Sequence, residues 1–184
     1  MAAAIEPLMV TQAAAELEEV FRAHHARVLK AAYRVTGSVS DAEDVAQSVF
    51  LRLARTGIDR SRITYLEGYL QRAAVNGALD LIRSRGNRED VPLEDEALPV
   101  SLSNSTVSPE RTHSSLEIRN WLRRALAELS PRTAEMFVLR YIEGLDNPEI
   151  AKSMNTSQAV VAVTLHRVRA KLKKDLCGFM RGAS

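Results

Sequence analysis

Two blocks of helical periodicity, separated by a stretch without it, constrain the fold of this chain more than any other feature. Over residues 15–88, apolar side chains recur at the three- and four-residue spacing that places them on one face of an α-helix. The same spacing returns over 116–178, whereas 89–115 is rich in proline, serine and acidic residues and has no period. Neither block shows the alternation expected of β-strands. The sequence therefore predicts an all-α protein of two small helical domains joined by a flexible linker.

Capping signals indicate where the helices begin. Ser40 and Glu43 have the S-x-x-E spacing of a capping box, in which each side chain accepts a backbone N–H at the helix start. Ser130 and Asn147 are each followed by proline, a residue favoured in the first turn of a helix. The signal at Asn147 opens a short helix, which a tight turn joins to a long helix beginning near Ser157. This layout predicts a helix-turn-helix over about residues 147–167.

The long C-terminal helix has one apolar face and one face suited to DNA. Projected at about 100° per residue, four aliphatic residues form a single stripe that we expect to pack inward. On the opposite face, the side chains are short near the N-terminus of the helix and basic further on. Recognition helices have this pattern, because their first residues reach bases and their later residues contact phosphates. An amphipathic hairpin that packs on another protein has the same periodicity, so this alternative stays open. The stripe is Val161, Leu165, Val168 and Leu172, and the predicted DNA contacts are Ser157, Gln158, Val163, His166 and Arg167.

The first domain also has a region suited to nucleic acid. The net charge is only +2, so the case for a polyanionic partner depends on where the cations lie. Arg83, Arg85 and Arg88 end the last helix of this domain, and Tyr65 and Tyr69 lie at its beginning. Aromatic rings beside arginines are typical of sites where single-stranded bases stack and the backbone is held by cations. Aromatic residues at helical spacing also serve as core, and this alternative stays open as well.

The sequence excludes several classes of function. Cys177 is the only cysteine of the 184 residues, which excludes an internal disulfide and a cysteine-based metal site. His24 and His25 are adjacent and point to different sides of a helix, and neither a phosphate-binding glycine loop nor a nucleophile paired with a base is present. We therefore expect no metal, no cofactor and no catalysis. Since a signal peptide and an apolar stretch of about 18 residues are also missing, we expect a cytoplasmic protein without membrane insertion.

Three segments resemble a known protein family. Residues 20–55 read VFRAHHARVLKAAYRVTGSVSDAEDVAQSVFLRLAR and resemble the polymerase-binding part of the extracytoplasmic-function (ECF) sigma factors, which belong to the sigma-70 family of bacterial RNA polymerase. Residues 69–85, YLQRAAVNGALDLIRSR, resemble the helix that reads the −10 promoter element. Residues 129–172, LSPRTAEMFVLRYIEGLDNPEIAKSMNTSQAVVAVTLHRVRAKL, are similar to the domain that reads the −35 element. The segments occur in the family's order and extend over about residues 17–176.

The resemblance implies a transcription initiation factor, with sigma region 2 in 15–88 and sigma region 4 in 116–178. The implied partners are the RNA polymerase core through its β and β′ subunits, promoter DNA and, as is common in the family, an anti-sigma factor. The polymerase-binding residues implied by position are Asp44, Gln47, Phe50 and Leu51. The implied −10 contacts are Tyr65, Tyr69, Asn76, Arg83, Arg85 and Arg88, with the loop from Thr56 to Ile63.

Two departures from the family pattern alter these expectations. Ala162, Val163 and Thr164 stand where the family often has a basic residue, a serine and a second basic residue, so charge-based affinity for the −35 element should fall. Val163 is the most outward residue of its helix by projection, and we predict that it contacts a thymine methyl group. In addition, Leu66 and Tyr69 stand where many relatives have phenylalanine and tryptophan, so we expect a smaller aromatic contribution to DNA melting.

The linker is long enough for this function. Residues 89–115 reach about 90 Å when extended, and promoter elements some 25 base pairs apart are separated by about 85 Å. We expect its acids Glu94, Asp95 and Glu96 to mimic a nucleic-acid strand in the polymerase channel.

Two other functions fit parts of the pattern. A stand-alone helix-turn-helix regulator binds operators without joining polymerase. A helical adaptor binds only proteins. Recovery of core polymerase with the chain and salt-dependent DNA binding distinguish these functions from that of a sigma factor.

Overall fold

A computed structural model describes residues 6–57, 65–86 and 112–182. Within these ranges the chain forms seven α-helices and no β-strand, which confirms the all-α prediction. The N-terminal module consists of α1 to α3, and the C-terminal module consists of α4 to α7. The helices are α1 (Glu6–Thr36), α2 (Val39–Thr56), α3 (Leu66–Gly86), α4 (Thr112–Glu128), α5 (Pro131–Tyr141), α6 (Asn147–Ser153) and α7 (Gln158–Gly182).

Small side chains let the three helices of the N-terminal module pack closely, each against the other two. Ala32, Ala42 and Ala74 are completely buried at these contacts. At Gly77 of α3, an added Cβ would lie 3.0 Å from Cγ1 of Val45 on α2. A glycine inside a helix costs about 1 kcal/mol relative to alanine, and here it lets α2 and α3 approach each other.

The predicted helix start at Ser40 is wrong by two residues. Gly37 has a left-handed backbone conformation (φ 71°) directly after the end of α1. Ser38 is extended (φ −120°, ψ 133°), and its hydroxyl accepts the backbone N–H of Asp41 at 3.3 Å, so Ser38 is the residue that caps α2. Because the left-handed glycine turns the chain at once, the second helix begins before the S-x-x-E pair instead of at it.

The two proline signals mark real helix starts in the C-terminal module. Ser130 caps α5 as predicted, since its hydroxyl accepts the N–H of Thr133. The cap of α6 is Asp146 and not Asn147: the Asp146 carboxylate accepts the N–H of Glu149 at 2.8 Å, and the Glu149 carboxylate accepts the N–H of Asp146 at 2.7 Å. This reciprocal pair satisfies two amides, whereas Asn147 has an apolar residue at the corresponding position and cannot form it.

The helix-turn-helix of the C-terminal module is present in the structure. α6 and α7 pack on each other and on α5, and the turn between them contains Asn155 in a left-handed conformation (φ 49°) that asparagine tolerates. The four residues of the predicted inward stripe of α7 are all buried, which confirms the projection: Val161, Leu165, Val168 and Leu172.

The two modules pack against each other, and their buried apolar residues form a single cluster. α3 contacts α4 and α5 as well as α1 and α2. Arg123 of α4 donates from Nε to the carbonyl of Val35 at 3.3 Å, and its guanidinium fills the space that a Cβ at Gly37 would need. Residues 112–115 of the predicted linker belong to α4, and 89–111 lie outside the described residues.

Candidate nucleic-acid interface

Three of the four predicted polymerase-binding residues lie on one exposed face of α2. Asp44, Gln47 and Leu51 follow each other at helical spacing, and Leu51 is 50% exposed, which is high for an aliphatic side chain. We call these three residues the α2 patch. The fourth residue, Phe50, is buried and contacts Phe21 of α1 edge-to-face, with ring centroids 4.8 Å apart.

Phe21 extends this apolar surface and was not identified from the sequence. Its ring is 44% exposed and lies 4.6 Å from the ring of His25. Because helix α1 is amphipathic, Phe21 reads as one more core position in the sequence. The large exposed aromatic ring is therefore evident only from the structure.

The two tyrosines at the start of α3 are surface residues, so the alternative that they form core is wrong. Tyr65 is 60% exposed and Tyr69 is also exposed. The ring of Tyr65 lies over Gly68, where an added Cβ would be 2.4 Å from Cδ1. The glycine therefore gives the Tyr65 ring a flat backbone surface to rest on, while much of the ring remains open to a stacking partner.

Asn76 lies on the side of α3 that faces the C-terminal module. Its Nδ2 donates to Oε1 of Glu135 on α5 at 3.1 Å, and Nε of Arg72, one turn earlier on α3, donates to the same oxygen at 2.7 Å. Glu135 is buried. In the structure, the side chain of the predicted −10 asparagine is therefore already hydrogen-bonded to a carboxylate of the same chain.

The arginines at the end of α3 form ion pairs. Arg85 donates from Nη1 and Nη2 to the two carboxylate oxygens of Asp41, at 2.5 Å each, and the Asp41 side chain is only 4% exposed. Arg83 donates to Asp80 at 3.1 Å, while its Nε and Nη2 are buried without a hydrogen-bond partner in the described part of the chain. Arg88 and residues 58–63 of the predicted −10 loop lie outside the described residues.

The N-terminal part of α7 presents the predicted −35 contacts to solvent. Ser157 caps this helix, because its hydroxyl accepts the N–H of Val160 at 3.3 Å. Val163 is 50% exposed. Within the described ranges, neither His166 nor Arg167 takes part in a salt bridge or side-chain hydrogen bond. The other exposed contacts are Gln158, His166 and Arg167.

Val160 is a second exposed valine on α7 that was not identified from the sequence. It is 47% exposed. By projection it lies about 60° from Val163, at the edge of the outward face, so the helical projection contained the signal for it.

The described residues also bear on other kinds of site. No group of three or more histidine, cysteine, aspartate or glutamate side chains is placed to hold a metal ion in those ranges. None of the helices described is both long and apolar enough to cross a membrane. Cys177 is exposed on α7.

Two family models match the chain, one on each module. The model "Sigma-70 region 2" matches residues 20–88, and the model "Sigma-70, region 4" matches residues 119–172. The matched residues include α2 and α3 in the first case and the helix-turn-helix in the second. The two matches also occur in the order that the sequence resemblance predicts.

Similar proteins carry the same description over most of this chain. SigE of Mycolicibacterium smegmatis, an ECF RNA polymerase sigma factor, is 33% identical over 161 residues, which are 86% of this chain and 61% of SigE. SigW of Bacillus subtilis, also an ECF RNA polymerase sigma factor, is 30% identical over 82% of this chain and 83% of its own length. The RNA polymerase sigma-E factor of Streptomyces avermitilis is 31% identical over 88% and 85%.

A solved structure is also similar. The crystal structure of the ECF sigma factor SigJ of Mycobacterium tuberculosis matches with a TM-score of 0.46 and 23% identity, over 84% of this chain and 52% of that chain. Both family models describe regions of sigma-70 factors. SigW and the Streptomyces protein, which this chain matches over more than four fifths of their length, are also sigma factors. The chain belongs to the ECF sigma factors of the sigma-70 family.

Proposed function

We propose that this chain starts transcription by joining the RNA polymerase core and reading the −10 and −35 promoter elements with its two modules. The observation that carries the proposal is the exposed N-terminal half of α7, held by a capped helix-turn-helix in the same chain as a region 2 module. A surface for bases and a separate surface for polymerase are what an initiation factor needs, whereas a stand-alone regulator needs only the first.

In the proposed complex, the α2 patch binds polymerase. Leu51 is a large apolar side chain in a polar surrounding, and Phe21 adds an exposed aromatic ring nearby. Apolar and aromatic side chains of this kind supply most of the binding energy at protein interfaces. The β and β′ subunits of the core are the proposed partners.

The proposed −10 site is the start and middle of α3. Tyr65 and Tyr69 offer exposed rings on which unpaired bases can stack, a contact worth about 1–3 kcal/mol per base. Asn76 lies two turns further along the helix, and its amide can both donate to and accept from the edge of a base. Because flipping a base costs a few kcal/mol, these groups must be held in place by the helix before DNA arrives.

The proposed −35 site is the outward face of α7. Val163 contacts a thymine methyl group in the major groove, and Arg167 contacts a phosphate. The cations that follow on α7 are also exposed and lie where the helix leaves the groove: Arg169, Lys171, Lys173 and Lys174.

Transcription takes place where polymerase and promoter DNA are, so the proposed location is the cytoplasm. An anti-sigma factor is the proposed regulatory partner, and the α2 patch is the surface that such a partner would have to cover to keep polymerase away.

The function is tested by recovery of polymerase and by transcription. Tagged chain should recover core polymerase in stoichiometric amount and direct transcription in vitro from a subset of a promoter library. Leu51→Asp should reduce both by more than about tenfold, since a charge replaces an anchor at the interface, while the folded content measured by circular dichroism stays unchanged. Glu43→Gln, at an exposed position of α2 outside the patch, is the matched control.

The alternatives give different results in the same assays. A stand-alone regulator would bind selected DNA equally well without core polymerase and would not recover it. An adaptor would bind no DNA under either condition.

A further inference from the structure

We infer that the free chain holds itself in a closed state, in which the C-terminal module occupies Gln71, Arg72 and Asn76 in the middle of α3 and competes with promoter DNA there. The inference rests on the −10 role of α3 proposed above. It names a regulatory device that lies within this chain and needs no second protein.

The first closing contact is Glu135 of α5. Its side chain is 8% exposed, and one of its oxygens accepts from both Arg72 and Asn76 of α3, at 2.7 and 3.1 Å. Nη1 of Arg72 also donates to the carbonyl of Ser153 at the end of α6. A single arginine of the −10 helix therefore connects to two helices of the C-terminal module.

The second closing contact is Glu143, which lies in the turn between α5 and α6. Its Oε2 accepts from Gln71 of α3 at 2.8 Å and from Arg34 of α1 at 3.3 Å. The Glu143 side chain is only 4% exposed, yet Oε1 is buried without a hydrogen-bond partner in the described part of the chain. A buried carboxylate with one unsatisfied oxygen carries a desolvation cost, so this contact is easier to open than a fully satisfied one.

Both contacts place an anion of the C-terminal module on donors of the N-terminal module. A carboxylate and a DNA strand compete for the same kind of group, because both offer oxygen acceptors to amide and guanidinium N–H donors. Asn76 cannot give the same N–H to Glu135 and to a base. Glu135 must therefore move away from Asn76 before this residue can bind a base of the −10 element.

The closed arrangement also excludes simultaneous reading of both elements. Elements about 25 base pairs apart are separated by about 85 Å along DNA, whereas in the structure α3 hydrogen-bonds directly to α5. The α3–α5 contact must therefore break when the chain binds a promoter.

Beside the shared apolar cluster, the interface between the modules has a polar and incompletely packed part. A cleft of about 870 Å³ lies between α1, α3 and the turn at Glu143, and its lining includes the charged Arg27, Lys30 and Lys152. Domains are expected to move relative to each other unless their interface is large and apolar throughout, and the polar cleft makes this interface apolar only in part.

The test removes the two carboxylate charges and measures compactness and DNA binding of the full chain. In Glu135→Gln/Glu143→Gln, the radius of gyration from small-angle X-ray scattering should increase. The variant should also bind a fluorescent single strand, carrying the non-template −10 sequence of a promoter selected with the holoenzyme, about tenfold tighter than the wild type. The apparent affinity equals the affinity of the open state multiplied by the fraction of chains that are open. If about nine-tenths of the wild-type chains are closed, opening all of them raises the apparent affinity about tenfold. Glu128→Gln, at an exposed position of α4, should change neither quantity.

A charge exchange keeps the test decisive if the double glutamine variant does not fold, which its thermal melting curve will show. Glu135→Arg alone should expand the chain, and Glu135→Arg with Arg72→Glu should make it compact again, because the ion pair is restored in reverse. If the exchanged chain stays as expanded as the single variant, the ion pair does not hold the closed state.

A third substitution separates failure of the inference from failure of the proposed function. Asn76→Ala is introduced into the wild type and into the double glutamine variant. A loss of single-strand affinity there, with no gain from the glutamine substitutions themselves, would keep the −10 role and overturn the closed state. No effect of Asn76→Ala in any background would overturn the −10 role of this residue, and with it the competition.

Discussion

The two helices that we assign to promoter DNA present their side chains in opposite ways. On α3, Asn76 and the arginines are bound to carboxylates of the same protein. On α7, the outward residues are exposed, and His166 and Arg167 have no salt bridge or side-chain hydrogen bond within the described ranges. The middle and end of α3 are polar and occupied, whereas the start of α7 is open and more apolar, with Val160 and Val163 about half exposed.

This difference indicates that cations near a DNA site can have either a structural or a DNA-binding role. On α3, the ion pairs position the helix and hold the module together, so part of its charge is structural. On α7, the cations are available to phosphates, but Val163, which bases would meet first, precedes all of them and is apolar. We therefore expect α3 variants to affect folding and base recognition, and α7 variants to affect affinity in smaller, salt-dependent steps.

The largest expected effect is on stability, at the Arg85–Asp41 ion pair. Asp41→Ala should lower the free energy of unfolding by about 2–3 kcal/mol, because it leaves the Arg85 guanidinium without its buried partner; Arg85 itself is half exposed, which keeps the cost below that of a fully buried pair. Urea denaturation of the full chain measures this change. Glu43→Ala, two residues away and exposed, should change the same quantity by about 0.5 kcal/mol or less.

A small effect of Asp41→Ala would weaken the comparison between the helices. If the free energy of unfolding of the variant lies within about 0.5 kcal/mol of the wild-type value, the ion pair does not stabilise the fold. Arg85 would then be free to contact DNA, as its position in the sequence predicts.

The second effect is on base recognition by α3. Asn76→Ala should reduce transcription from the preferred promoter roughly tenfold, the lower to middle range for a lost hydrogen-bonding side chain at a base. It should also reduce discrimination among promoters that differ only at one −10 position. Ser84→Ala, at an exposed position near the end of the same helix, is the control. An equal loss on all promoters, with discrimination kept, would show that Asn76 positions the helix and does not read a base.

The sequence was sufficient for those features that depend on local periodicity. The buried stripe of α7 and the exposure of Val163 follow from projecting one helix, and both agree with the structure. Helix starts were predicted less well. The caps of α2 and α6 are Ser38 and Asp146, because the choice depends on the left-handed turn at Gly37 and on a reciprocal acid pair.

The partners of the site residues could not be predicted in the same way. Asn76 and Glu135 are 59 positions apart, and Arg85 and Asp41 are 44 apart. No periodic pattern relates residues at such separations, since their contact depends on how whole helices pack. The arginines at the end of α3 therefore look like a free basic cluster in the sequence, although the structure has Arg83 and Arg85 in ion pairs.

The third effect concerns the apolar part of α7. Val163→Ser should weaken binding to the −35 element about fourfold, the equivalent of losing one buried methyl contact. Replacing the contacted thymine by deoxyuridine, which removes only the methyl group, should weaken the wild type by the same factor and the variant not at all. Val160→Ser is the matched control, because it makes the same change at the edge of the outward face. If both variants stay as sensitive to deoxyuridine as the wild type, neither valine contacts the methyl group.

The smallest effect separates charge from recognition on α7. Arg167→Ala should weaken holoenzyme binding by a similar amount on all promoter sequences, because a phosphate contact carries no base information. The slope of log affinity against log salt should become shallower by about 0.9, the value for one neutralised phosphate. The factor by which the variant binds more weakly than the wild type should therefore fall nearly by half with each doubling of the salt concentration. On α3, the corresponding Arg85→Ala should leave the slope unchanged and lower stability instead, since its charge is already used by Asp41. Fluorescence anisotropy at several salt concentrations, with urea denaturation of both variants, distinguishes the two roles of arginine in this chain.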